Sequence, residues 1–258
     1  MKRIGILETG HTSDELAARF GQFSDAFGRW LTAHAQEFPF VLDVFRVEDG
    51  ELPAHPGACD GYIITGSAAG VYDDHAWLEP ARRFIRDAMA AERKLVGVCF
   101  GHQLVADALG GRVVKSHKGW GLGRHTYRLH DTAPWMDPSL EALSLLACHQ
   151  DQVVAPPPGA RVLASSEFCE FAMLAIGEHV ITVQAHPEFT PDYAGSLYAS
   201  RRERFGPEVT ERSLATLGDP THAQDFARWV LRFLHYDAFS ERPSMLQTEP
   251  TAGAERLT

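Results

Sequence analysis

Cysteine is scarce in this chain: four residues in 258, at positions 59, 99, 148 and 169, with no Cys-x-x-Cys pair. That excludes a disulfide scaffold and a thiol-ligated metal motif, both of which need paired, closely spaced cysteines. Runs of Lys or Arg are missing, and the net charge is −10. No basic footprint for nucleic acid or an anionic membrane is therefore present. No apolar stretch approaches the roughly 20 residues of a membrane-spanning helix. The first residues already read as a strand, Arg3–Leu7, with no apolar h-region, so no signal peptide is expected and the cytoplasm is the expected location. Internal repeats and low-complexity linkers are absent as well. Hydrophobic content of 45% and charged content of 22% are those of an ordinary globular protein with one well-buried core.

Against that background one stretch carries chemistry. Leu95-Val96-Gly97-Val98 is an apolar run of the kind a fully buried strand uses. It stops at Cys99, and Gln103–Leu109 then follows with helical apolar spacing, closed by Gly110-Gly111. Strand, tight turn and helix with a cysteine at the apex make a Gly-x-Cys-x-Gly nucleophile elbow. Gly97 and Gly101 let the chain turn sharply, and the helix N-terminus favours thiolate over thiol. The Phe100 N–H can face a developing oxyanion. A buried structural cysteine at a strand end is the plainer alternative.

A cysteine nucleophile needs a base, and the base needs an orienting group. Val180–Ala185 is a second apolar strand, followed at once by His186-Pro187-Glu188. Glu188 lies within reach of the His186 imidazole. If the two strands are parallel neighbours, Cys99 and His186 share one edge of the sheet. His149 with Asp151 is a competing pair, ranked below His186.

Strand and helix alternate along the chain. Strands are predicted at Phe40–Phe45, Gly61–Thr65 and Lys94–Val98, and helices at Asp14–Phe20, Phe23–Ala35 and Trp77–Glu92. This predicts an α/β fold, doubly wound, with a mostly parallel sheet and helices on both faces. Ligands bind such sheets at the carboxyl ends of the strands, where Thr65/Gly66, Cys99 and His186 all fall. Gly111–Lys115 and Leu122–Leu129 read as short exposed strands of a small antiparallel excursion. The glycine-rich turn between them, Lys118–Gly123, carries Trp120 and reads either as a cover over a pocket or as a surface turn with one packed aromatic. Leu143–Cys148, Arg161–Ser165 and Phe171–Ile176 are further strands. Asp73 and Asp74 read as the start of a helix, and Gly66–Gly70 as backbone placed close to a substrate or as a plain loop, without Walker spacing. Extra C-terminal helices follow over 190–239, where Arg201, Arg202 and Arg204 read as a solvated face. Residues 1–239 are taken as one domain and 240–258 as a loose tail.

Gly97-Val98-Cys99-Phe100-Gly101-His102-Gln103 with His186-Pro187-Glu188 resembles the class I (triad) glutamine amidotransferases. So do Tyr62–Ser67 and Cys148–Val153, in the same order along the chain. Val71–Asp74 and Lys118–Gly123 are similar to the free-standing members and the plant γ-glutamyl peptidases. The resemblance implies a flavodoxin-like fold and hydrolysis of the γ-amide of glutamine or a γ-glutamyl compound through a cysteine thioester. It implies Cys99 as nucleophile, His186 as base and Glu188 as its orienting acid. Gly66, Ser67 and Phe100 are then the oxyanion-hole positions, and Gln103, His149, Gln150 and Asp151 line the substrate pocket. No metal or organic cofactor is expected. The implied partners are a small-molecule substrate and, in the other mode of this family, a separate synthase subunit receiving ammonia. The Thr65-Gly66-Ser67 loop departs from the Gly-Gly-Pro of the synthase-linked branch, which favours a γ-glutamyl peptide or amine over free glutamine. Two other classes stay open: a DJ-1-like cysteine redox or aldehyde protein, and a non-catalytic binding module.

Overall fold

The apolar β-branched runs form strands where their pattern demands it. The computed structural model describes residues 1–236. In chain order its elements are β1 (Lys2–Glu8), α1 (Asp14–Phe20), α2 (Phe23–Thr32), β2 (Phe40–Arg46), β3 (Gly61–Ile64), α3 (Leu78–Ala90), β4 (Lys94–Val98) and α4 (Phe100–Ala108). A strand-rich middle follows with β5 (Arg112–Lys115), β6 (Gly121–Leu129), β7 (Ala142–His149), β8 (Asp151–Ala155), β9 (Ala160–Ser165), β10 (Met173–Ile176) and β11 (Val180–Val183). Four helices complete the described chain: α5 (Pro191–Ser200), α6 (Arg202–Phe205), α7 (Pro207–Leu214) and α8 (Ala223–His235).

The main sheet has nine strands in the order β2-β1-β3-β4-β11-β10-β9-β6-β7. From β2 to β11 every pairing is parallel. From β11 to β7 every pairing is antiparallel. Alternation sends successive side chains of a strand to opposite faces. On β4, Val96 and Val98 join the core that also holds Phe27, Trp30, Trp229 and Phe233 of α2 and α8. Leu95 joins the other core, with Phe84 and Ile85 of α3 and Leu104 and Val105 of α4. This is the doubly wound α/β arrangement expected from the alternation.

The antiparallel part is larger than the short excursion expected. β6 is a nine-residue strand of the main sheet, paired with β7 and β9. β5 pairs instead with β8, in a separate two-stranded sheet. The run Asp151–Ala155 opens on two polar residues, which hides it in the sequence as the partner of β5. Asp73 and Asp74 do not open a helix, since α3 begins at Leu78; Asp73 Oδ2 instead accepts the Gly70 N–H at 2.7 Å. The expected helix end at Phe239 and the expected tail, 240–258, lie outside the described residues. Among the described residues no helix is long and apolar enough to cross a membrane.

The C-terminal helices dock over the antiparallel half. Thr190 caps α5, accepting the Tyr193 N–H at 3.2 Å, and Pro191 occupies its first turn. Tyr198 is fully buried, donating to the Ala147 carbonyl at 2.6 Å and accepting from the Gly123 N–H at 3.1 Å. On the other flank α8 is anchored by Trp229, fully buried and donating Nε1–H to the Pro138 carbonyl at 2.9 Å. Trp229→Ala removes that packing and leaves a cavity; it is expected to cost about 3–5 kcal/mol of stability, read as a fall in the urea midpoint. A loss under about 1 kcal/mol would show that the sheet does not depend on α8.

Candidate active site

Cys99 is the single residue between β4 and α4, with φ +53° and ψ −103°. A non-glycine residue in the left-handed region carries strain of about 1–3 kcal/mol, held by its surroundings. Here both sides hold it. Its N–H donates to Val183 on β11 at 2.9 Å, and its carbonyl accepts the Gln103 N–H of α4 at 3.2 Å. The two glycines are required by contact. A Cβ on Gly97 would come within 2.6 Å of the Gly101 carbonyl oxygen, and one on Gly101 within 2.2 Å of the Ile64 carbonyl oxygen. The Cys99 side chain is buried, its Sγ 3.8 Å from the Cys148 carbonyl oxygen. Phe100 is the first residue of α4, so its N–H has no partner within the helix.

His186 lies three residues past β11, the parallel neighbour of β4. Its N–H donates to the Leu146 carbonyl of β7 at 2.7 Å, fixing the backbone there. The imidazole Nδ1 meets Glu188 Oε1 at 2.7 Å, with both side chains buried. A carboxylate can only accept, so Nδ1 carries the proton and Nε2 is left for the Cys99 side chain. The Phe189 ring stacks on the imidazole at 3.9 Å and 10°. Gly66 closes another approach, since a Cβ there would stand 2.9 Å from His186 Cε1. Burial pushes the imidazolium down, but Cys99 and Glu188, through charge and hydrogen bonds, more than reverse this and carry His186 up to about 10.

Two neighbouring histidines behave oppositely. His149 Nδ1 meets the Asp151 backbone carbonyl at 3.1 Å, not its carboxylate, and burial pushes the ring down to about 3. His102 is fully buried with Nδ1 2.7 Å from Thr182 Oγ1, and burial takes it to about 3 as well. Of the three, His186 alone has a carboxylate partner, and Phe100, not a histidine, follows Cys99.

The loop after β3 is tied back from below. The Thr65 carbonyl accepts from Gly101 N–H at 3.0 Å and from Thr9 Oγ1 at 3.0 Å. The Gly66 carbonyl accepts from Thr9 Oγ1 at 3.3 Å and Thr65 Oγ1 at 3.1 Å. In a trans peptide the N–H points opposite to the carbonyl of the same unit. The Gly66 and Ser67 N–H groups are therefore directed away from these threonines.

Cys99 opens into a cavity of about 200 Å³ that Ser67, Gln103, His149, Gln150 and Asp151 also line. Gln103 Nε2 donates to the Asp151 carbonyl at 2.9 Å and to Gln184 Oε1 at 3.1 Å, so it also braces the start of β8. Gly66, Phe100, His186 and Glu188 stand behind this lining. A larger, more apolar cavity of about 540 Å³ lies on the far side of Glu188, against Phe20, Trp30 and Tyr193, and does not reach Cys99. Among the described residues no cluster of His, Cys, Asp and Glu is arranged to hold a metal ion.

Of the site residues named from the sequence, Ser67, Cys99, Gln103, His149, Gln150 and Asp151 line the Cys99 cavity, and Gly66, Phe100, His186 and Glu188 do not. Sequence reasoning missed others. Tyr72, Asp73, Lys115, Arg201 and Arg204 line the same space; Trp120 lines it too, in keeping with the reading of its turn as a cover over a pocket. The expected solvated arginine face holds for Arg202, which pairs with Glu211 at 3.1 Å, and for Arg204, which is exposed while also lining the cavity; Arg201 departs from it, half-buried in the cavity wall. Thr9 gave no signal, since only the β1–β3 pairing brings it to Thr65 across 56 residues.

A model of the family described as glutamine amidotransferase class-I matches residues 22–202. Gamma-glutamyl peptidase 3 of Arabidopsis thaliana is 32% identical over 199 residues, covering 74% of this chain and 78% of that protein. The glutamine-hydrolyzing GMP synthase of Alkalilimnicola ehrlichii is 27% identical over 187 residues, covering 69% of this chain and 35% of that protein. A glutamine amidotransferase from Thermotoga maritima shares the fold, with a TM-score of 0.69 and 17% identity, over 90% of this chain and 96% of that one.

The His186 geometry makes a spectroscopic prediction. Replacing the sulfur by Cys99→Ala removes the main influence raising the imidazolium while the burial that lowers it remains. The His186 ring, followed by NMR, is expected to titrate well below its value of about 10 in the parent protein. An unchanged titration would show that Cys99 and His186 do not interact.

Proposed function

This chain belongs to the class-I glutamine amidotransferase family, and from that premise we propose that it hydrolyses the γ-amide of γ-glutamyl peptides or amines, and of glutamine, through a thioester on Cys99. One observation carries the reading: Cys99 and the His186–Glu188 pair project from adjacent parallel strands at one sheet edge, with Cys99 facing a cavity.

Cys99 gives its proton to His186 and attacks the γ-carbonyl carbon. The carbonyl electron pair moves to oxygen, which the Phe100 and Gly66 N–H groups stabilise. The Gly66 N–H serves this loop and also the Gly-Gly-Pro version, where a proline in place of Ser67 has no N–H to offer; here Ser67 adds a further donor. Each such donor is worth roughly 3 kcal/mol in the transition state. The intermediate collapses, the C–N bond breaks, and Nε2–H of His186 protonates the departing amine. In the thioester the sulfur is uncharged, so the chief influence holding the His186 proton is gone. The imidazole is then a competent base for the water that attacks the thioester. Glutamate leaves and the sulfur is restored. Glu188 holds the Nδ1 tautomer and balances the imidazolium charge. Substrate, water and these side chains account for every proton and electron pair. The chain acts as one domain over 1–239, in the cytoplasm.

A second mode, release of ammonia to a separate synthase subunit, is favoured by the similarity to a GMP synthase over little more than a third of that protein's length. Glutamate release by the purified chain separates the two. Faster release from γ-glutamyl peptides or amines than from glutamine is expected, with Cys99→Ala lower by about 10⁴-fold or more. Uniformly slow, Cys99-dependent release would favour the synthase-coupled mode. Activity of Cys99→Ala within a few-fold of the parent would refute the nucleophile assignment.

A further inference from the structure

The cavity that holds Cys99 is lined by charges of both signs, and they are segregated. On the side of the Ser67–Gly70 loop and β8 are Asp73, Asp151 and Lys115. Tyr72 Oη donates to Asp151 Oδ2 at 2.7 Å, and Asp73 acts electrostatically on the same phenol. Lys115 is the register partner of Asp151 across the β5–β8 pair. Two acids and one cation, with the Gln103 amide between them and Cys99, suit a zwitterionic glutamyl head group. The opposite wall comes from the C-terminal helices and the β5–β6 turn. The Arg204 guanidinium lies over the Trp120 ring, 5.2 Å from its centroid, and Trp120 packs edge-on against Phe205 at 4.6 Å. Arg201 lines the same wall, half-buried. Both guanidiniums act on the thiol of Cys148, whose carbonyl touches Cys99 Sγ. Among the described residues neither arginine has an acidic partner, whereas Arg202 beside them does.

We propose that Arg201 and Arg204 form a leaving-group subsite that selects γ-glutamyl compounds whose departing amine carries a carboxylate, with Trp120 as its floor. This rests on the γ-glutamyl reading above and extends it from the acyl half of the substrate to the half that leaves. The glutamyl head group is electrically neutral and is matched by the acid-and-lysine wall. The two uncompensated positive charges are therefore directed at an anion elsewhere in the substrate. A γ-glutamyl amino acid has one, a few bonds beyond the scissile nitrogen. Arginine suits the task, since its planar fork takes a carboxylate with two parallel hydrogen bonds. Arg201 is at the end of the residues that match the family model and Arg204 lies just past them.

The test compares γ-glutamylglycine with γ-glutamylglycinamide, which differ in the leaving-group carboxylate. The parent enzyme is expected to prefer the acid by about 10- to 100-fold in kcat/KM, the span of one or two charge-assisted hydrogen bonds. That preference should shrink as salt is raised. In an Arg201→Met, Arg204→Met double variant, which keeps the apolar stems against Trp120, the acid-to-amide ratio is expected to collapse toward one. An equal loss on both substrates would overturn the proposal, because the arginines would then serve the glutamyl carboxylate or the fold. A parent ratio near one would also overturn it. Calorimetric binding of the two compounds to Cys99→Ala, with and without the arginines, asks the same question without turnover. A binding preference that vanishes with the arginines would uphold the subsite even if the parent hydrolyses neither compound, an outcome that would sink only the hydrolytic reading.

Discussion

The parallel pairing of β4 with β11 is the constraint on which the site depends. Leu95 to Val98 lie beside Val180 to Val183 in register, and the Cys99 N–H extends that ladder one step beyond the strand by donating to Val183. In a parallel pair both carboxyl ends lie at the same edge of the sheet. A cysteine just past one strand and a histidine just past the other are thereby neighbours, although 87 positions apart in the chain. A slip of one residue would turn every side chain of β11 to the opposite face and move His186 off Cys99. Packing on both sides opposes it, with Ile181 and Val183 seated in one core and Val180 in the other.

Electrostatics then distinguishes three histidines placed in one dry region. Burial alone favours the neutral ring, and His102 and His149 follow that rule because their partners are a hydroxyl and a backbone carbonyl. His186 departs from it because two groups that can bear negative charge, Cys99 and Glu188, face the same ring. Such a buried group is weak evidence for stability, since desolvation offsets much of the attraction. Its value is chemical. In the proposed mechanism the proton is held while the sulfur is charged and released once the sulfur is acylated, so that one residue would serve as acid and then as base.

Much of this was legible in the sequence because the constraints are local. The glycines flanking Cys99 are demanded by backbone contacts within a few residues, or with the strand packed alongside, and the abrupt change from strand to helix periodicity marks the turn. His186-Pro187-Glu188 follows a strand readable from its β-branched run. What could not be read depends on pairing between distant segments. β6 carries alternating polar residues and passes for an exposed excursion, yet its place between β9 and β7 buries Leu122 and Tyr127. Thr9 is an unremarkable residue until β1 lies beside β3. The arginines of the C-terminal helices were visible as charges, but their direction depends on how those helices dock through Tyr193, Tyr198 and Phe205.

That docking also explains how an acidic protein can attract an anion at one place. The chain carries ten more negative than positive charges at neutral pH, so its far field repels a carboxylate-bearing substrate. Within a Debye length of about 10 Å at ordinary salt, local charges outweigh the far field, and on the proposed reading two guanidiniums in the cavity wall would set which substrates are favoured there. Binding energy at an anion several bonds from the scissile nitrogen can then be used to orient the amide over Cys99, where orientation lowers the barrier. On that proposal free glutamine, whose leaving group is ammonia, would gain none of this energy. The same C-terminal helices that close the antiparallel half of the sheet thus bring Arg201 and Arg204 to the Cys99 cavity, which is where the proposed selection between amides would be made.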